Sequence, residues 1–207
     1  MSLDTYTNLK LSIAAWSKRT GDTSFATQID EFIDLAEAEL FEKLRVNAME
    51  YRDSAFSITG EYTALPTGFL GFKSIKNTAS PFNQIEMAPS GFIDDVYGDS
   101  PSDTPIYATI EGNQLRVLPL QAGTYDVVYY KKFDQLSGSV ASNTVLANYP
   151  KLFLSGSMYF AQPYLLNDAR STMWGEMFYN GIKDANGSEN VTRWSGRSPQ
   201  MRVRRNP

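Results

Sequence analysis

The spacing of apolar positions changes twice along the chain, and each change predicts a change of structure. In the first 50 residues the period is helical. Tyr6, Leu9, Ile13 and Trp16 fall on one stripe, and Phe25, Ile29, Phe32, Ala36, Leu40 and Leu44 on a longer one. Between them "RTGDTS" interrupts the pattern, with Gly21 placed to close the first helix and Asp22, Thr23 or Ser24 to cap the second. Glu31, Asp34, Glu37 and Glu42 sit mainly off the apolar stripe, while Lys43 and Arg45 near the end complement the helix dipole.

From about residue 51 the period becomes two. "AFSITG" sets Phe56 and Ile58 on one side, and "NQLRVLP" alternates Leu115 and Val117 with Gln114 and Arg116. "GTYDVVYYKKF" is a β-branched and aromatic run suited to a strand. Glu111-Gly112-Asn113 between "IYATI" and "QLRVL" predicts a hairpin, and Ser90 a cap for a short helix, "GFIDDVYG". Prolines 66, 81, 89, 101, 105 and 119 mark turns.

The helical period returns after "LSGSVASN". Pro150 fits a first helical turn, and "KLFLSGSMYFAQPYLL" is apolar on nearly every side, which predicts a buried helix kinked or divided at Pro163. Asn167 or Asp168 would cap a last helix carrying Trp174, Met177, Phe178 and Ile182, with Gly187 as its stop. The predicted class is therefore α+β. A helical bundle is formed from both chain ends (1–50 and 136–186), with an antiparallel β-sandwich or barrel (51–135) inserted and an extended C-terminal arm (187–207). No internal repeat is present at a solenoid or propeller period.

Composition narrows the chemistry. The 207 residues contain neither cysteine nor histidine, which excludes disulfides, thiolate or imidazole metal sites, thiol nucleophiles and the usual near-neutral general base. The expectation is a protein that is not an enzyme and needs no cofactor or catalytic metal. No phosphate-cradling or dinucleotide glycine motif exists, since "GFLGFK" lacks the spacing. Asp94, Asp95, Asp99 and Asp103 could hold calcium but lack EF-hand spacing, which favours a solvated acidic loop. Glu37, Glu39 and Glu42 could supply a glycosidase carboxylate pair, yet lie beside Lys43 and Arg45 as a salt-bridged helix face would. The start of the chain lacks a signal-peptide layout, and no apolar run approaches the ~20 residues of a membrane span. Synthesis in the cytoplasm, with no membrane partner, is expected.

Charge singles out the end of the chain. Residues 187–207 carry five arginines against one acid, Glu189, so a terminus of +4 follows a body of −8 within a total of −4. Trp194, Met201 and Val203 interleave with the arginines, and Trp and Arg dominate binding hot spots. Arginine forks bind carboxylates or phosphates. An acidic protein groove or a nucleic acid would each suit that chemistry.

Three stretches carry a family resemblance: "AFSITGEYTALPTGFLGFKSI", "IYATIEGNQLRVLPLQAGTYDVVYYKKFDQLS" and "NTVLANYPKLFLSGSMYFAQPYLLNDARSTMWGEMFYNGI". Across residues 5–185 the chain resembles the head-to-tail adaptor (connector) proteins of tailed phages, of the podovirus type related to tail tubular protein A. Leu65-Pro66 before an apolar strand, the "YDVVYY" strand end and "NYPKLFLSGSMYFAQPYL" carry the likeness. The resemblance implies a virion protein at the head-tail junction, usually twelve copies in a ring. Such a ring binds the portal protein, neighbouring adaptor subunits and tail nozzle or fibre proteins, and extends a channel through which DNA passes without specific binding. With the arginine chemistry, it implies portal contacts from Arg193, Trp194, Arg197, Met201, Arg202, Arg204 and Arg205. The alternative function is nucleic-acid binding by the arginine-rich arm.

Overall fold

The computed structural model of the chain describes residues 3–79, 83–97, 103–165 and 171–194. It divides into two compact units, one made of residues 1–48 and 133–207 and the other of 49–132. The structure is mixed α+β.

In the first unit α1 (Tyr6–Trp16) begins where the Thr5 side chain accepts a hydrogen bond from the Asn8 N–H. Leu9 and Ile13 are fully buried, whereas Trp16 is 53% exposed and meets Trp174 edge-to-face. Gly21 does not stop this helix. Lys18 does, taking a left-handed φ of 56° while the Arg19 N–H bonds back to the Ala14 carbonyl. Gly21 (φ 91°) instead turns the chain into α2 (Thr23–Lys43), which Asp22 caps by accepting from the Phe25 N–H. The buried face of α2 holds Phe25, Ile29, Phe32, Ile33, Ala36, Leu40 and Phe41.

After the second unit, which contains α3 (Ser90–Tyr97), Asn143 caps the short α4 (Thr144–Asn148), and Pro150 opens α5 (Pro150–Phe160), buried from Leu152 to Met158. Pro163 falls in a separate turn, α6 (Gln162–Leu165). The predicted caps Asn167 and Asp168 lie outside the described residues. The last helix, α7 (Ser171–Trp194), buries Trp174, Phe178 and Ile182. Helix α5 packs against α1, α2 and α7. Glycines permit the approach: a Cβ at Gly156 would lie 2.7 Å from the Phe178 ring and 3.0 Å from the Ala36 methyl.

The second unit is one seven-stranded sheet in the order β1-β7-β3-β4-β5-β6-β2. Its strands are β1 (Glu50–Ile58), β2 (Tyr62–Ala64), β3 (Phe69–Asn77), β4 (Asn83–Met87), β5 (Tyr107–Glu111), β6 (Gln114–Leu118) and β7 (Gly123–Lys131). The expected all-antiparallel pairing fails at one place, because β4 and β5 run parallel. The connection between them holds α3 (Ser90–Tyr97) and is long enough to cross over the sheet. The β5–β6 hairpin turns at Gly112, with φ 59°, as its sequence predicts. Phe56, Ile58, Ile75, Ile85, Ala108, Leu115, Val117, Tyr125, Val127 and Tyr129 form one apolar cluster.

A second correction concerns the C-terminal arm. Residues 187–194 are helical, so α7 continues through Gly187 rather than stopping there. A glycine costs a helix only about 1 kcal/mol relative to alanine. Just before it, Asn186 pins the helix: its Oδ1 accepts from the Arg45 N–H at 2.8 Å and its Nδ2 donates to the Lys43 carbonyl at 2.9 Å. One side chain thereby satisfies two backbone groups around the end of α2.

Candidate interaction surfaces

The residues expected to meet a portal divide at the end of α7. Arg193 and Trp194 occupy its last two positions. Arg197, Met201, Arg202, Arg204 and Arg205 lie outside the residues that the structure describes. What it fixes is their root. From Asn186, held against the end of α2, eight further helical residues carry the chain about 12 Å along the helix axis.

The proposed glycosidase carboxylates do not converge. Glu39 pairs with Lys43 one turn on, and Glu42 is exposed. Glu37, expected off the apolar face, is fully buried. Its Oε1 accepts from the Leu136 N–H at 3.0 Å, while Oε2 has no hydrogen-bond partner among the described residues. Burial is the main force that raises its carboxyl to about 7. The Leu136 N–H works against the rise, and the nearby Asp34 charge adds to it. The bond from Leu136 pins the segment that returns the chain to α4. Tyr6, whose N–H donates to the Ala141 carbonyl, ties down the same segment.

In the acidic loop Asp95 and Asp103 are exposed, as a solvated loop has them, and Asp94 departs from both readings. Asp99 lies outside the described residues, and among those described no three His, Cys, Asp or Glu side chains gather as a metal site. Asp94 on α3 instead holds Arg116, which is itself only 8% exposed. The Arg116 guanidinium binds Glu61 Oε1 (2.6 Å), Asp94 Oδ1 (2.6 Å) and Glu111 Oε1 (3.3 Å), and lies 5.5 Å from the Tyr62 ring centroid. One cation among three carboxylates leaves an anionic cluster, with Asp94 54% exposed and Tyr62 45% exposed. Strand alternation puts Arg116 on the face opposite Leu115 and Val117. It could not show that α3 covers that face and buries Ile93 there.

The start of β1 carries the opposite charge. Arg52 makes a bidentate bond to Asp126 with both distances 2.8 Å, and Lys73 reaches both oxygens of Glu50 at 2.7 Å. Lys131, exposed, stands 5.4 Å from the Tyr51 ring centroid. Strands β1, β3 and β7 with the adjoining Lys132 bear five cations (Arg52, Lys73, Lys76, Lys131, Lys132) against three acids (Glu50, Asp53, Asp126).

Among the described residues no helix is long and apolar enough to cross a membrane. No curated protein matches the chain. The family model described as "SU10 adaptor protein" matches residues 4–204. That span takes in the three stretches that resemble phage head-to-tail adaptors, and it runs on through Arg193, Trp194, Arg197, Met201, Arg202 and Arg204. The chain belongs to the SU10 adaptor protein family, and with it to the structural adaptors of phages.

Proposed function

We infer that this phage structural adaptor forms a ring at the head-tail junction, joining the portal to the tail and extending the DNA channel. The observation that carries the reading is the family match, which spans both units and nearly the whole cationic terminus. Charge supports it. A body of −8 does not hold passing phosphates, whereas cationic channel walls would retain them. The terminus, +4, suits an acidic groove on the neighbouring ring, reached by Arg193, Trp194, Arg197, Met201, Arg202, Arg204 and Arg205. Downstream, the ring meets nozzle or fibre proteins of the virion.

The test compares the full chain with one ending at Trp194 for binding to isolated portal rings, read as assembled mass by sedimentation. Ending there keeps α7 and the Asn186 clamp intact. Ring formation by the full chain, weakened at least tenfold by the truncation, is expected. Equal binding by both would remove the portal role from residues 195–207. A DNA affinity that falls steeply with salt and is lost with those residues would instead favour a nucleic-acid arm.

A further inference from the structure

The two charged clusters of the β unit sit at opposite ends of one extended segment. The cationic one flanks the start of β1, with Tyr51 and Lys131 on one face of the strand and Arg52, paired with Asp126, on the other. The anionic one surrounds Tyr62 on β2, which begins only three residues after β1 ends at Ile58. A nine-residue strand spans roughly 25 Å, so the length of β1 separates the two clusters along the chain. They are also built alike. Each presents a half-exposed tyrosine beside a cation, Tyr51 with Lys131 and Tyr62 with Arg116. They differ in balance, since excess cations mark the first and excess carboxylates the second.

Tyr51 and Arg52 lie on one free border of the sheet and Tyr62 on the other, because among the described residues β1 pairs only with β7 and β2 only with β6. Backbone pairing across those borders is limited. Strand β2 has three residues, and β1 is bulged between Asp53 and Phe56, where Asp53 accepts from the Ala55 N–H. Side chains must therefore make any contact. A heterologous assembly needs two different complementary patches on each subunit, and this unit has such a pair.

We propose that copies of this chain join head to tail through the β unit, the Tyr51–Arg52–Lys131 cluster of one copy seating on the Glu61–Tyr62–Asp94–Glu111 cluster of the next. The proposal rests on the ring reading above and names the surface that closes the ring. Arg116 engages all three carboxylates, and the Tyr62 hydroxyl donates to the second oxygen of Glu111 at 3.3 Å, whereas Asp94 binds Arg116 through Oδ1 alone and stays half exposed. Counting Arg116, the cluster keeps two negative charges, and Asp94 can meet a second guanidinium or ammonium. The exposed Lys131 makes no ion pair among the described residues and supplies one.

Two charge-reversal variants of the full chain test this on isolated portal rings, with assembled mass as the readout. Arg52→Glu with Lys131→Glu makes the first cluster anionic. Asp94→Lys with Glu111→Lys makes the second cationic and keeps the Glu61–Arg116 pair. Each alone is expected to need on the order of tenfold more protein or greater to assemble, because like charges then face each other. Their mixture is expected to regain wild-type assembly, because the reversed clusters match again.

A second check uses the absence of cysteine. Lys131→Cys with Glu111→Cys in one chain should oxidise to a ladder longer than dimers, while either change alone should not. Wild-type rings with undiminished assembly of both reversal variants, or wild-type rings with no ladder, overturn the proposed contact and leave the ring reading standing. Failure of the wild type to assemble on the portal overturns both.

Discussion

Glu37 is a carboxylate where a helix packed on this side calls for a hydrocarbon. Burial accounts for a carboxyl near 7, and the consequence is a pH-dependent stability with a definite sign. The unfolded chain ionises this group near 4.5 and the folded chain only near 7. Between those values the native state binds the extra proton, so stability falls as pH rises. The loss should reach roughly 3 kcal/mol at most by about pH 8. Glu37→Gln keeps an oxygen for the Leu136 N–H and removes the titration. Thermal melts should show the variant gaining stability over wild type at about pH 8 and little or none at about pH 4. Equal shifts at both would show that the carboxyl is not the titrating group. The sequence did contain a clue: Ile33, Glu37 and Phe41 are spaced by four, and both flanking residues are buried. A stripe drawn only through Ile29, Phe32, Ala36 and Leu40 leaves Glu37 on its margin. Whether a marginal position is buried depends on the returning segment at Leu136, nearly 100 residues later, which no local pattern contains. Arg116 was hidden for the same kind of reason, since its three carboxylates come from three different parts of the chain.

At the scale of elements, helices and strands were legible wherever one face alone was buried, as in α1, α2 and β1. Their ends were less so. Gly21 and Gly187 look alike as stops, yet one lies in a turn after a helix that Lys18 ended, and the other lies inside α7. The long-range Asn186 clamp holds the second helical, and sequence spacing gives no sign of it. The parallel pair of β4 and β5 was equally hidden, because strand alternation is the same in either direction. The glycines of the helical seam make a graded prediction. At Gly156 an added methyl meets the fully buried Phe178 ring at 2.7 Å and Ala36 at 3.0 Å, with neither free to withdraw. At Gly181 it meets only the flexible Cδ2 end of Leu152, also at 2.7 Å. Alanine favours a helix over glycine by about 1 kcal/mol at both sites. Gly156→Ala should therefore destabilise by about 1–3 kcal/mol in denaturant unfolding, while Gly181→Ala should fall within about 1 kcal/mol of wild type. The reverse order would mean that α5 and α7 do not approach through Gly156.

The whole molecule is two units threaded by one chain, and the thread suggests how independent they are. Residues 49–132 leave and re-enter at neighbouring points, because Glu50 at the start of β1 pairs with Tyr130 near the end of β7. The unit has its own apolar cluster, drawn from six of its seven strands. It also carries an internal ion pair at each end of that cluster's sheet, Arg52 with Asp126 and Arg116 with Glu61. None of these groups is borrowed from the helical unit. A fragment of residues 49–132 should therefore fold alone, with strand-rich circular dichroism and one cooperative unfolding transition. A unit of this size buries only about 60% of its unfolded surface, so its stability should be small, a few kcal/mol. The helical unit cannot be tested by simple truncation, because α1 and α2 precede the insert while α5 and α7 follow it. Joining Ala48 to Phe133 through a short glycine-serine link preserves the Asn186 clamp, the Glu37–Leu136 bond and the Phe41–Phe133 ring contact at 4.5 Å. That chain should show helical dichroism and retain the pH dependence of Glu37, since Leu136 and Asp34 both remain to face that carboxyl. Loss of the transition in the fragment alone would mean that the sheet depends on the helices. Loss in both would mean that the two units fold only as one, and stability changes such as that at Gly156 would then report on the β unit as well.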